Sequence, residues 1–253
     1  MLDGLARLEP LVNRASELGM HSLAITDHGG MYGAIDFYRL ASGSDIKPIV
    51  GSEIYVASGS RFDRNPKDQI HHMTVLAKDT TGYKNLVKLT TLSHLEGFYK
   101  KPRVDKELLE KYSSGLVVLS GCPSGEVPWL IAQGRYQEAK DTVDWYKNVF
   151  DSYFLEMMHH GGVPDLPRIN NGLVDLNRDM NIPLVATNDS HYVLKSHAPN
   201  HDVLLCIQTN STVNDANRMR FEEDSYHLKS HEEMMELFYE NPEAVSNTDM
   251  VAE

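Results

Sequence analysis

The sequence predicts an α/β fold: a parallel sheet, open or closed, read as a distorted seven-stranded barrel without its first strand. Three observations predict it. Six short apolar runs alternate with stretches of helical periodicity. Two of those runs, Leu23-Ala-Ile-Thr and Leu184-Val-Ala-Thr, stop at an acid and an imidazole, Asp27-His28 and Asp189-Ser-His191. The length, 253 residues, suits one large barrel or two modest domains. When several strands of a β/α chain finish in metal-ligand residue types, their C-terminal ends are expected to share one site.

Leu5, Leu8, Leu11, Val12, Ala15 and Leu18 form the first helical stripe, with Gly19 as its stop and Asp3 placed for an N-cap. No strand feeds that helix, which is odd in an alternating chain. Ser22–Thr26 is the first visible strand, and Gly29 and Gly30 beyond it permit close backbone approach. Ala34–Ala41 reads as a helix, Ile46–Val50 as the second strand, followed by Gly51-Ser-Glu53 and Ile54–Ala57. Residues 58–70 are polar and read as an exposed loop. His71–Ala77 is the third strand, and Thr81–Glu96 a helix with Tyr83, Leu86, Val87, Leu89 and Leu92 as its inner face. Gly97–Arg103 is a basic, aromatic loop, and Asp105–Tyr112 a short helix. Gly115–Leu119, Tyr153–Leu155 and Ile182–Thr187 are the remaining strands. Between them lie two helical pieces over 126–150 and one helix over Pro164–Met180. The barrel is assigned to residues 1–194. A C-terminal part, 195–253, carries the apolar patch His201–Ile207 and helices over Glu232–Tyr239 and Ala244–Glu253.

Acids outnumber bases, 36 to 24, for a formal net charge of −12. That argues against a free-standing domain that coats nucleic acid, but not against an enzyme whose metals attract phosphate locally. The two cysteines, Cys122 and Cys206, form no CxxC, so a reducing, cytoplasmic setting is expected. No apolar run approaches the ~20 residues that span a bilayer, and no signal-peptide pattern opens the chain. A membrane partner is not expected.

Asp27/His28, Glu53, Cys122, Glu156 and Asp189/His191 all fall at or just past an apolar strand. A lone histidine on a strand is more often a hydrogen-bonded core residue than a ligand. Coincidence across several strands reverses that weighting. Mixed Asp, Glu, His and Cys donors suit zinc, manganese or iron better than calcium or magnesium. The implied reaction is metal-assisted phosphoester hydrolysis. Of the other histidines, His21, His94, His197, His227 and His231 read as surface residues. His71 and His72 are adjacent and point to opposite faces, so at most one faces the site. Both begin their strand rather than end it. Cys122 alone is most simply a small buried hydrophobe. Lys100, Lys101 and Arg103 beside Phe98 and Tyr99 suit phosphate binding or base stacking, and equally a solvated loop.

Several longer stretches carry a family resemblance. They include Leu2-Asp-Gly-Leu-Ala, Ile25-Thr-Asp-His-Gly, Lys47-Pro-Ile-Val-Gly, Gly82-Tyr-Lys-Asn-Leu, Lys101-Pro-Arg, Ser120-Gly-Cys, Thr187-Asn-Asp-Ser-His-Tyr and His201-Asp-Val-Leu-Leu-Cys-Ile-Gln. Across almost its whole length the chain resembles the polymerase-and-histidinol-phosphatase (PHP) domain of bacterial replicative polymerase III alpha subunits. The resemblance implies a distorted (β/α)7 TIM-like barrel holding up to three divalent metals, zinc, manganese or iron. The matching ligand positions are Asp3, His28, Glu53, His72, Cys122, Asp189 and His191, with His72 preferred to His71. Asp27, Glu53 and Asp189 are the candidate catalytic carboxylates, with Asp27 and Glu156 in supporting roles. Lys101 and Arg103 are the candidate substrate-binding residues.

The family's first strand carries a His-x-His pair just ahead of the Leu-Asp-Gly segment. The chain begins after it and reads as a fragment, or as an open reading frame with a displaced start and an early end. Fewer metals and one fewer strand are therefore expected, with polymerase domains expected beyond residue 253. The activity implied is a 3′–5′ exonuclease within a DNA polymerase, with DNA, the remaining polymerase domains, a proofreading exonuclease subunit and other replisome subunits as partners. A silent structural module that braces the polymerase and docks the proofreading subunit is the alternative. A phosphatase acting on small phosphomonoesters is the second.

Overall fold

A computed structural model describes residues 4–253 of the chain. In order, its elements are α1 (Leu8–Glu17), β1 (Ser22–His28), α2 (Ala34–Ser42), β2 (Lys47–Ala57), β3 (Ile70–Ala77), α3 (Thr80–Leu95), β4 (Arg103–Val104), α4 (Lys106–Lys111), β5 (Leu116–Leu119), α5 (Glu126–Ala132), α6 (Tyr136–Val149), β6 (Ser152–Met157), α7 (Leu166–Met180), β7 (Leu184–Ala186), α8 (Ala198–Thr209), α9 (His231–Leu237), α10 (Pro242–Ser246) and α11 (Thr248–Ala252). Local chemistry sets several boundaries. Asp79 caps α3 through Gly82 N–H at 2.8 Å, Asp105 caps α4 through Leu108 N–H at 3.2 Å, and Ser230 with Glu233 closes a capping box on α9. The position ahead of α1 is Arg7, which makes no side-chain cap, and the N-cap expected at Asp3 lies outside the described residues.

The sheet runs β1-β2-β3-β5-β6-β7, with β4 paired to β2. It curls into a half-barrel. His28 at the end of β1 and His191 just past β7 bring their rings to 6.3 Å between centroids, so the two ends of the sheet approach each other. Alternation fixes what the concave face carries. Ile49, Leu76, Val117, Leu119, Phe154 and Val185 form an apolar inner cluster, against which Val251 of α11 packs. Each such side chain contributes roughly 1.5–3 kcal/mol when fully buried. Higher on the same strands the inner positions turn polar. A larger core between sheet and helices, including Leu86, Leu109, Leu155 and Leu173, covers the convex face.

The fold corrects the parallel reading at one strand. β3 is antiparallel to both neighbours, β2 and β5. The cause is the connection. A parallel return needs a crossover, usually a helix, and residues 58–69 hold none. The chain therefore doubles back, and the start of β3 lies at the rim where its neighbours end. The 58–70 loop is also less exposed than its polarity suggests. Arg61 within it is 7% exposed and donates to Asp105, Glu96 and Glu107.

Candidate metal centre

The rim is assembled from adjacent ladder positions. His28 pairs with Glu53 across β1 and β2, while Tyr55 pairs with His72 across β2 and β3. Glu53 and Tyr55, two residues apart, share the concave face, and His72 joins them there. Cys122 arrives from the turn after β5. Gly121 makes that turn possible: its φ is +87°, and a Cβ there would lie 2.4 Å from the His72 carbonyl oxygen. Two further bonds dock the turn, His72 N–H to Ser124 O at 3.1 Å and Gly125 N–H to Cys122 O at 2.7 Å.

His72 Nδ1 stands 2.5 Å from Glu53 Oε1. Cys122 Sγ is 3.5 Å from His72 Nδ1 and 4.0 Å from the same Glu53 oxygen. Donor atoms of Glu53, His72 and Cys122 all lie within 4.8 Å of one another. His28 Nδ1 is 3.6 Å from Glu53 Oε2, and the His28 and His72 rings are 6.2 Å apart. His191 Nδ1 is 2.7 Å from the Asp189 carbonyl and 3.7 Å from Asp189 Oδ1.

The electrostatics suit a cation. Burial raises the Glu53 carboxyl, but the His72 hydrogen bond and the charges of His28, His72 and His191 outweigh it and hold the group below its ordinary value. Burial, then Glu53 and Asp189, push the Cys122 thiol well above its ordinary value. A protonated thiol beside a carboxylate and an imidazole is a donor set short of positive charge. A divalent cation among these three atoms would supply that charge and deprotonate the sulfur. The residues present therefore fit a zinc- or manganese-type ion by donor chemistry.

Below the rim, Glu156 is 4% exposed and joins three elements. Its carboxylate accepts from Thr74 Oγ1 at 3.0 Å on β3, from Gly121 N–H at 3.0 Å in the cysteine turn and from Thr187 Oγ1 at 2.7 Å past β7. Burial lifts its pKa to about 7; the bonds from Thr187 and Thr74 only partly counter this.

The Asp189–His191 segment is irregular, and Asp189 has φ +46°. Residues 225–229 hold it. Asn188 Nδ2 donates to Ser225 O at 2.9 Å and His227 O at 2.7 Å, and His191 N–H to Tyr226 O at 2.8 Å. Lys229 Nζ donates to Asn188 Oδ1 at 2.8 Å and also to Ser225 O. This corrects the surface reading of His227, which is 7% exposed because its segment folds back over the loop.

Two other candidates sit elsewhere. Asp27 neighbours His28 and so faces away from it. Its Oδ2 accepts Gly33 N–H at 2.7 Å ahead of α2, a bracing contact rather than a catalytic one. Arg103 is 1% exposed and is not open to a substrate. Its guanidinium donates to Gly97 O at 3.0 Å, Arg61 O at 3.0 Å and Asp63 O at 2.7 Å. Lys101 is exposed and donates to Tyr55 OH at 3.4 Å. Tyr55 itself escaped the sequence reading. Its ring lies 5.1 Å from that of His72 and 6.3 Å from that of His28. The signal was present, since Tyr55 stands two residues past Glu53 on one strand.

The profile of the PHP domain matches residues 1–160. The chain is 44% identical over 257 residues to DNA polymerase III subunit alpha of Borreliella burgdorferi, covering all of this chain and 22% of that protein. It is 40% identical over 265 residues to the Campylobacter jejuni subunit, covering all of this chain and 22% of that protein. Over 247 residues, 95% of this chain and 20% of that protein, it is 42% identical to the Thermus aquaticus subunit. The chain thus spans about a fifth of the length of these relatives. Among solved structures it is similar to a proposed metal-dependent phosphoesterase from Bifidobacterium adolescentis, at 15% identity and TM-score 0.49, covering 92% of this chain and 91% of that one.

Proposed function

The chain belongs to the PHP domain family, and on that premise we propose that it is a metal-dependent phosphoesterase module of a bacterial replicative DNA polymerase, removing nucleotides from a DNA 3′ end. The observation that carries the reading is the convergence of Glu53, His72 and Cys122. These three would hold a divalent ion. His28, Asp189 and His191 are the further proposed donors, and Asp3 is proposed on family grounds alone. A bound ion supplies Lewis acidity toward a phosphoryl oxygen and acidifies a water molecule. Asp189 Oδ1 is the carboxylate proposed to take the proton released by water. The half-barrel walls restrict bulk water from below.

The parent protein is proposed to be a DNA-directed DNA polymerase whose further domains, proofreading subunit and other replisome subunits are this module's partners. No helix among the described residues is long and apolar enough to cross a membrane. The cytoplasm is the proposed location.

The test is release of nucleotide from labelled single-stranded DNA by the purified chain in manganese or zinc, beside Glu53→Ala. Divalent-dependent release that the variant lacks is the expected result. A folded chain with no bound metal by elemental analysis, and no release with any divalent ion, would favour the structural module instead.

A further inference from the structure

The chain is acidic overall, yet one edge of the metal rim is basic and aromatic. Loops 58–69 and 97–103 meet there, welded by their arginines. Arg103 reaches the carbonyls of Gly97, Arg61 and Asp63, and Arg61 is held by Asp105, Glu96 and Glu107. Arg64 donates to the carbonyls of Arg61, Asp63 and Glu96. Three cations surround the Tyr99 ring: Arg103 at 5.4 Å, Lys100 at 5.6 Å and Arg64 at 5.9 Å. Two acids lie in the same loops, Asp63 accepting from Ser60 N–H and Asp68 from Asn65 Nδ2. Exposed on this edge are Lys100, whose Nζ donates to Pro66 O at 3.2 Å, Lys101, and Phe98, the last 54% exposed.

The turn is built to present these groups. Tyr99 N–H bonds Lys101 O at 3.0 Å, and Lys100 at its tip takes φ +62°, a conformation rare outside glycine. Lys101 Nζ then lies 5.0 Å over the Tyr55 ring, and Tyr55 touches the rings of His28 and His72. The basic ledge is thus continuous with the metal rim through one side chain.

We propose that the Phe98–Lys101 turn is a docking ledge for single-stranded polynucleotide. Lys101 meets the backbone phosphate next to the metal rim, Lys100 a phosphate further along, and the exposed Phe98 face stacks a base. The ledge selects a polynucleotide end over a small phosphomonoester, which needs neither a second cation nor a stacking face. The substrate assignment rests on the phosphoesterase reading; the binding does not.

The test is fluorescence anisotropy of the full chain with a 5′-labelled oligothymidylate in EDTA, across a salt series. Lys100→Ala/Lys101→Ala is expected to bind about tenfold more weakly at low salt. Its log–log salt slope should fall by about 1.4, roughly 0.7 for each phosphate left without its lysine. Phe98→Ala is expected to bind about fivefold more weakly with an unchanged slope, and Lys84→Ala on α3 like wild type. Wild-type binding by both the double lysine variant and Phe98→Ala would overturn the proposal. So would equal competition by polyglutamate, which marks a patch that reads charge alone. Because EDTA silences the metal rim, oligonucleotide binding without hydrolysis in any divalent ion would sink the enzymatic reading and leave the ledge. Oligonucleotide hydrolysis untouched by the lysine and Phe98 changes would do the reverse.

Discussion

Glu53 and His72 reach the rim from paired strands, whereas Asp189 and His191 reach it from a segment outside every named strand. On the first side, the ladder fixes each donor: register and alternation decide where Glu53 and His72 point. On the second, the positive φ of Asp189 and the bonds from residues 225–229 do that work. The strand side is preorganised by the fold itself. The loop side depends on a brace supplied from the C-terminal part of the chain.

That comparison predicts unequal responses to substitution. The largest is expected on the strand side, where His72→Ala, Cys122→Ser or Glu53→Gln should each weaken zinc binding roughly hundredfold or more, read by competition with a chromophoric chelator. Equal binding by all three would show that the strand side holds no ion.

Glu156 spans both sides and gives an effect on the order of 2 kcal/mol. Its carboxyl sits at about 7 in the folded chain against an ordinary 4.5. Between those values the folded chain keeps a proton that the unfolded chain has released. Stability should therefore fall as pH rises through that window and level off above it. Urea melts in EDTA at pH 5 and pH 8 should show this loss in wild type and little of it in Glu156→Gln. A wild-type curve flat over this range would place the carboxylate in a wetter setting than the structure gives it.

The smallest effect is expected from the brace. Asn188→Ala removes the bonds to Ser225, His227 and Lys229 and should cost about tenfold in metal affinity, near 1.4 kcal/mol, through Asp189 and His191. Unchanged affinity alongside a lowered melting temperature would show that the loop side contributes no donor.

The same contrast explains what could be read from the amino acids alone. The strand ending in Asp27-His28 was legible because an apolar run and its polar stop are a local pattern, whereas the second strand runs on through Glu53 to Ala57 instead of stopping before it. The direction of β3 was not, since it depends on a missing crossover rather than on any residue within the strand. His72 looked misplaced at a strand start until the reversal put that start on the rim. The burial of Arg103 was hidden too: a basic residue in a polar loop gives no local sign that three carbonyls from distant turns will close around it. His227 was obscured for the same reason, in a segment with no periodicity. Tyr55 was available to a stricter use of alternation.

The antiparallel turnaround of β3 also bears on how the centre comes into being. A hairpin closes by contacts between neighbours in the chain, and such contacts form early and quickly. The acid and imidazole on β2 and β3 can therefore meet before the sulfur from the distant turn arrives. Two of the three rim donors thus rest on a local pairing, and only the third waits on a contact made across a long stretch of chain.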